Sequence, residues 1–507
     1  EMMAAMDDPR IEDADHKGRF LSFKNFAWKE GSGISDVYPG FILGDGVDDF
    51  AVTEKELNFE DTYTVYTAFI PFQNNPTRTM ILCGADSKKT FSMQYSSLVY
   101  VTFIAGNNYY INANFVNGLN LFACKRNGNN IYIKNLLTNK VVTGTCGDWV
   151  ENAGLYYLWK NATYASFAKA AIAGQTICNG YFSTDEDDEK VLDWYKKQHP
   201  WLFPDQAWTV VGKTNEDEDR ATIANITGNG NNLVLSNFGF AEGSGYGLYK
   251  TPFELYPSVQ HSSKYSLSFS KFALGDHNLI IAPIQNDLSY DIKVKVTGLK
   301  DGVKFKWGWI GITGYIDITT DGIHMLNKPA SQIRQLIVEF AEDFDPDHVV
   351  TIEQIPEYEG YLVTDGVDDK VESSLFTLNK DWTIVGNWTM LSNIPSNCGI
   401  IKVSSMFLYN SLDGVTIYFA GGPIKIQSRS INAFCSDGRI YLNDWTEILK
   451  PDAQIASGGS KSSLNIASYS ANFTKMAFKN LAIYDGKNLS KDDCIKAYNY
   501  LQTLKAK

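Results

Sequence analysis

The chain has no apolar run near the ~20 residues that a membrane-crossing helix requires, and it has no secretory pattern of charged, apolar and small residues. It begins at Glu1 rather than at a methionine and reads as a mature or trimmed form, with room for an anchoring segment upstream. Basic residues are in deficit: 45 Lys and Arg stand against 58 Asp and Glu, for a net charge of −13 and a pI near 5.0. That balance leaves no basic surface to neutralise phosphates, which excludes a nucleic-acid partner, and no charge attraction to an anionic membrane. Seven cysteines carry no Cys-x-x-Cys spacing, and their odd number leaves at least one without a mate. Buried, reduced thiols and folding in a reducing cytoplasm follow as the expectation.

Catalytic signatures are missing as well. There is no His-Glu-x-x-His, no Gly-x-Ser-x-Gly and no Gly-x-x-x-x-Gly-Lys, and the six histidines (His16, His199, His261, His277, His324, His348) form no pair at ligand spacing. A glycosidase needs two carboxylates facing one cleft. The dense acidic runs, Asp185 to Glu189 and Glu216 to Asp219, read instead as a helix start and an exposed loop. The expectation is a protein that is not an enzyme.

What the chain does have is aromatics (13%), 40 glycines and a duplication. Gly44-Asp45-Gly46-Val47-Asp48-Asp49-Phe50 returns as Thr364-Asp365-Gly366-Val367-Asp368-Asp369-Lys370. Each copy follows an apolar lead and precedes an alternating run, which predicts strand, tight acidic turn, strand. Asn25-Phe26-Ala27-Trp28-Lys29-Glu30-Gly31-Ser32-Gly33 likewise returns as Asn237-Phe238-Gly239-Phe240-Ala241-Glu242-Gly243-Ser244-Gly245. Asp365 stands 320 residues after Asp45 but Asn237 only 212 after Asn25, so the second copy carries an insert of about 108 residues. The boundaries expected are a leading segment 1–7, a first sandwich 8–203, a second built from 204–250 and 358–507, and an inserted sandwich 251–357.

Short alternating segments such as Tyr63 to Phe69, Leu119 to Ala123 and Asn130 to Ile133, separated by Asn, Gly and Asp, predict antiparallel strands. Asn127-Gly128-Asn129-Asn130 predicts a hairpin turn. Two helices are expected: one capped by Thr184, with Val191, Leu192 and Tyr195 on its apolar face, and one running from about Lys491 to Lys505 behind Ser490.

Thr227-Gly228-Asn229-Gly230-Asn231-Asn232-Leu233, the acidic turns, and Leu481-Ala482-Ile483-Tyr484-Asp485 followed by Leu489-Ser490-Lys491-Asp492-Asp493 resemble the opening, second and closing elements of laminin-G-like, concanavalin-A-type jelly rolls. The resemblance covers both copies. The first departs from the pattern at its opening, Asp15-His16-Lys17-Gly18, and at its close, Asn179-Gly180-Tyr181-Phe182-Ser183-Thr184, the second by its insert and by Lys370, where the family usually has an aromatic. The resemblance implies an all-β fold of two lectin-like jelly rolls, the second interrupted by a small β-sandwich. The combination is also similar to virion surface and fibre proteins of tailed gut-bacterial phages, including the crAss-like group. That likeness implies a virion fibre or decoration protein assembled in host cytoplasm and displayed on the particle. Its partners would be other virion proteins, cell-surface or mucus glycans, and further copies of itself, a trimer being the favoured homo-oligomer. Two rivals remain: a purely architectural virion protein, and a bacterial surface glycan-binding protein or polysaccharidase.

Two sets of residues carry the binding chemistry. Asp45, Asp48 and Asp49, with Asp365, Asp368 and Asp369, either fix their own turns through backbone N–H groups or supply oxygens to a structural Ca²⁺. No other cofactor is implied. Trp307, Trp309, Tyr109, Tyr110 and Trp445 are the aromatics placed beside Asn, Asp or Gly loops, where a sugar ring would stack.

Overall fold

The computed structural model describes residues 10–12, 19–29, 31–35, 37–72, 79–83, 92–96, 100–104, 110–114, 118–148, 153–160, 167–228, 230–240, 243–248, 261–263, 265–269, 290–299, 303–309, 316–328, 334–340, 345, 347–391, 398–403, 406–411, 414–419, 422–426, 430–449, 461–469 and 472–506. The leading segment 1–7 lies outside them. The fold is nearly all β, in several antiparallel sheets. No helix among the described residues is long and apolar enough to cross a membrane.

Residues 10–179 form an eight-stranded and a seven-stranded sheet, residues 206–485 form two eight-stranded sheets, and residues 261–355 form a five-stranded and a three-stranded sheet. In the first pair, Phe23, Ala51 and Leu158 of one sheet meet Val65, Phe122 and Ile133 of the other in a shared hydrophobic layer. In the second pair, Leu235, Val371 and Ile466 meet Ile384, Phe434 and Ile483.

The central strands explain how the two sandwiches join. Successive side chains of a strand point to opposite faces. In Thr62–Pro71, Tyr63, Val65 and Phe69 enter the first core, while Tyr66, Ala68 and Ile70 enter a third cluster on the other side. Met476–Asp485 does the same: Phe478, Leu481 and Ile483 point into the second core, Ala482 and Tyr484 into that third cluster. A strand covered on both faces loses its polar alternation, and these two read as near-continuous apolar runs for that reason.

The shared cluster lies between one sheet of each sandwich and is filled by the two helices. The first helix, Asp185–Gln198, is capped reciprocally: Thr184 Oγ1 accepts from Asp187 N–H at 3.2 Å and Asp187 Oδ2 accepts from Thr184 N–H at 2.9 Å. Tyr195 and, after Pro200, Trp201 and Leu202 pack into the cluster. The second helix, Lys491–Thr503, starts at Ser490, whose hydroxyl accepts from Asp493 N–H, and contributes Cys494, Ala497, Tyr500 and Leu501. Polar links cross the same layer: Leu119 N–H donates to Tyr500 Oη at 3.1 Å, and Tyr484 Oη donates to the Trp201 carbonyl at 2.6 Å.

One part of the acidic helix start differs from the expectation of a solvated turn. Asp188 is 2% exposed and accepts from Lys125 (2.8 Å), Tyr66 (2.8 Å) and Ser183 (3.2 Å), with Lys134 at 3.0 Å. Two lysines on the sheet beneath required a buried anion, and charge counting along the helix could not reveal it. The Asn127 to Asn130 turn matches its expectation, with Asn127 opposite Asn130 and Gly128 at φ 56°.

Candidate functional site

The two repeated motifs of each copy converge on one structure. Asp45 Oδ1 accepts from Val47 N–H (2.7 Å) and Asp48 N–H (3.3 Å), and Asp49 Oδ2 accepts from Asp45 N–H (3.0 Å). In the second copy the same bonds measure 2.7, 3.4 and 2.7 Å through Asp365 and Asp369. The Asn-Phe stretch closes over this turn. Asn25 Nδ2 donates to the Asp48 carbonyl at 3.1 Å, and Asn237 Nδ2 to that of Asp368 at 3.0 Å. Ser244 Oγ accepts from Gly239 N–H and donates to Asp369 Oδ1 at 2.8 Å. In the first copy Ser32 Oγ accepts from Ala27 N–H and stands beside Asp49, whose proton affinity it lowers, although Asp49 Oδ1 meets no partner at full hydrogen-bond geometry. Gly46 and Gly366 hold φ of 81° and 78°, and a Cβ on either would press on Lys169 or Lys475, so only glycine fits.

Asp45, Asp48 and Asp49 each bring a carboxylate oxygen within 4.8 Å of the others, as do Asp365, Asp368 and Asp369. Both oxygens of Asp369 already accept protein donors, and Asp365 Oδ1 takes two amides. The carboxylates are solvated by N–H and O–H groups, so a cation would have to compete with the turn itself. Burial pushes both Asp49 and Asp369, each 0% exposed, up to about 6, against the lowering effect of these hydrogen bonds.

A second arrangement lies on the second sandwich. Trp445 occupies a tight turn at φ 63°, held by its N–H to the Leu442 carbonyl and by Asp444 Oδ1 accepting from Thr446 N–H. Its ring stands 5.5 Å from Tyr498, edge to face. Burial, then the nearby Tyr361, raises the Tyr498 hydroxyl above its ordinary value. Tyr361 packs edge to face on Tyr358 at 5.8 Å, and Lys479 Nζ lies 5.5 Å above the Tyr361 ring. Lys479 is the extra residue of a bulge opposite Asn387 and Trp388, which turns its side chain outward. Amides join the aromatics: Tyr361 Oη donates to Asn387 Oδ1 (3.3 Å) and Asn387 Nδ2 donates to Gln502 Oε1 (3.1 Å). Trp445, Tyr498, Tyr361, Tyr358, Asn387, Gln502 and Lys479 are all half-buried, a strip with Trp445 and Tyr498 packed along the edge of the cluster shared by the two sandwiches.

Trp307 and Trp309 lie on the strand Val303–Trp309 of the insert, opposite Leu336 and Arg334, and are placed there by backbone only. Tyr109 falls outside the described residues, and Tyr110 opens the strand Tyr110–Asn114, also placed by backbone. The strand pairing of Trp307, Trp309 and Tyr110 does not bring them to the Trp445 strip. Tyr358, Tyr361 and Tyr498 escaped sequence reading because they lie on a strand and a helix far apart in the chain. The Tyr-x-x-Tyr spacing after Pro356 was the only local signal.

No protein-family model matches the chain, and no curated protein does. Among solved structures the chain is similar to a botulinum neurotoxin type G receptor binding domain, at 12% identity over 68% of this chain and 80% of that one, with a TM-score of 0.24. It is also similar to the binding domain of botulinum neurotoxin DC in complex with rat synaptotagmin II, at 7% identity over 95% and 93% of the two chains and a TM-score of 0.27. A botulinum neurotoxin type C structure, described for cell entry dependent on two ganglioside molecules, matches at 8% identity over 94% and 92%, again with a TM-score of 0.27. Scores this low carry no information on what the present chain does.

Proposed function

We propose that this protein is a non-enzymatic adhesion protein that binds glycans through the strip of Trp445, Tyr498, Tyr361 and Tyr358. The observation that supports it is the interleaving of half-buried rings with the Asn387 and Gln502 amides: C–H faces of a sugar stack on rings while its hydroxyls exchange hydrogen bonds with amides. Display on a phage particle, as a fibre or decoration assembled in host cytoplasm, rests on the sequence resemblance alone. Many copies on one particle would raise weak single-site binding by avidity. The test is a glycan array read with the full chain, followed by titration of the best hit. Trp445→Ala and Tyr361→Ala are each expected to weaken it at least about fivefold, which corresponds to about 1 kcal/mol. Unchanged binding in both variants, or a blank array from folded protein, rejects the reading.

One observation favours a purely architectural role. Tyr38 and Phe41, the counterparts of Tyr358 and Tyr361 in the first copy, are buried in the shared cluster between the sandwiches. The repeat uses that position once as an internal protein–protein surface, so the half-buried copy suits a second protein as well. Sedimentation of the full chain and of Tyr361→Ala separates the two: self-association lost in the variant, with no glycan bound by either, supports architecture.

A further inference from the structure

A second cluster of rings stands on the outer sheet of the first sandwich, away from the strip. Lys160 Nζ lies 4.2 Å from the ring centre of Phe50, 5.9 Å from that of Tyr157 and 5.8 Å from that of Phe167. Phe50 is 6.4 Å from each of the other two rings. All four residues are half-buried. Lys160 is bridged to Phe167, and Tyr157 sits opposite Val52, two residues from Phe50. Among the described residues no carboxylate pairs with Lys160.

The duplication supplies the control for whether the fold requires this cluster. The register of the second copy puts Lys370 in the place of Phe50, Asn465 in that of Tyr157 and Ser468 in that of Lys160, keeping only Phe473 for Phe167. There Lys370 pairs with Glu372 at 2.6 Å, an ordinary exposed ion pair. The same strands therefore form with one ring of the three and with no lysine at the Lys160 position, and the cluster of rings around a lysine is an addition peculiar to the first copy. A lysine over ring faces keeps its ammonium in place by cation–π attraction while its remaining N–H groups face water. This combination offers apolar stacking for one face of a pyranose and, at its edge, a fixed donor for a carboxylate.

We propose that Phe50, Tyr157, Phe167 and Lys160 form a second saccharide site, selective for an acidic sugar of the uronic-acid class. The proposal rests on the reading that the chain binds glycans, and adds a ligand class and a location. Charge-assisted hydrogen bonding to Lys160 supplies the selectivity, and the net negative charge of the whole chain makes that contact local and sensitive to salt.

The experiment is calorimetric titration of the full chain with an oligogalacturonate and with its methyl ester, repeated for Lys160→Gln, Phe50→Lys and Trp445→Ala, with the melting temperature of each variant as a folding control. The acid is expected to bind at least tenfold more tightly than the ester. Lys160→Gln should remove that preference, Phe50→Lys should abolish binding of both, and Trp445→Ala should leave both intact. An acid that binds no tighter than its ester, or a preference that survives in folded Lys160→Gln, overturns the second site. If array glycans still bind through Trp445 in that case, the adhesion reading stands without it. If nothing binds anywhere, both fall.

Discussion

Asp369 offers the sharpest test of how the repeated clasp is built. Its carboxylate is buried beneath the second Asn-Phe stretch and raised from 3.8 to about 6, with burial the largest cause. A rise of that size is worth roughly 3 kcal/mol between protonated and ionised forms. Because the folded-state value is the higher one, the contribution favours folding fully below the unfolded value near 3.8 and is lost as the pH rises through about 6. Asp369→Asn imitates the protonated acid: its carbonyl can still accept from Asp365 N–H, and its amide can donate to Ser244 Oγ. The variant should exceed the wild type by roughly 1 kcal/mol at pH 4.5 and by roughly 3 kcal/mol at pH 7.5, a widening of roughly 2 kcal/mol that for a cooperative unit of this size adds roughly 5–10 °C to the melting-temperature gap. Comparing variant with wild type at each pH cancels other groups, such as His199, whose lowered value acts in the opposite direction. Thermal melts from pH 4.5 to 7.5, with and without EDTA or added Ca²⁺, provide the measurement. A variant less stable than wild type at pH 7.5, together with a wild type stabilised by Ca²⁺ and destabilised by EDTA, would refute the reasoning and establish a cation on the carboxylates.

Three further outcomes follow from the packing. Asp188→Asn leaves Lys125 buried without its anion, Lys134 retaining the exposed Asp185 at 2.7 Å, and should cost about 3 kcal/mol, read as a lower urea midpoint at neutral pH. Gly44→Thr places a Cβ 2.4 Å from the Trp159 ring and should cost more than about 2 kcal/mol. Adding Trp159→Ala should recover much of that loss in a double-mutant cycle, because the second copy pairs Thr364 with Ala467 at the same positions. Tyr500→Phe leaves the Leu119 N–H without its acceptor in the shared cluster and should lower stability by about 1–2 kcal/mol, with faster hydrogen exchange at that amide.

The local elements were legible in the chain because their causes are local. Alternation marked the strands, Thr184 and Ser490 marked helix starts, and Asp45 and Asp365 marked turns that cap themselves within a few residues. The duplication could also be read, since it is a statement about the sequence itself. The union of its two motifs could not: Ser244 reaches Asp369 across 125 residues, most of them the insert. The Trp445 strip was visible as one residue only, because its other members arrive on a strand and a helix whose adjacency depends on sheet order.

The sequence by itself determined an acidic, all-β, internally duplicated chain with capped helices and two acidic turns, all of which follow from composition, period and short-range hydrogen bonding. Only the tertiary structure decided which of the duplicated surfaces became interior. Tyr38 and Phe41 were buried against a second sandwich while Tyr358 and Tyr361 stayed half-buried, and Phe50 gathered rings around Lys160 where Lys370 paired with Glu372. The repeats carry the same local instructions. They differ in what packs against them, and burial is set by elements far away in the chain.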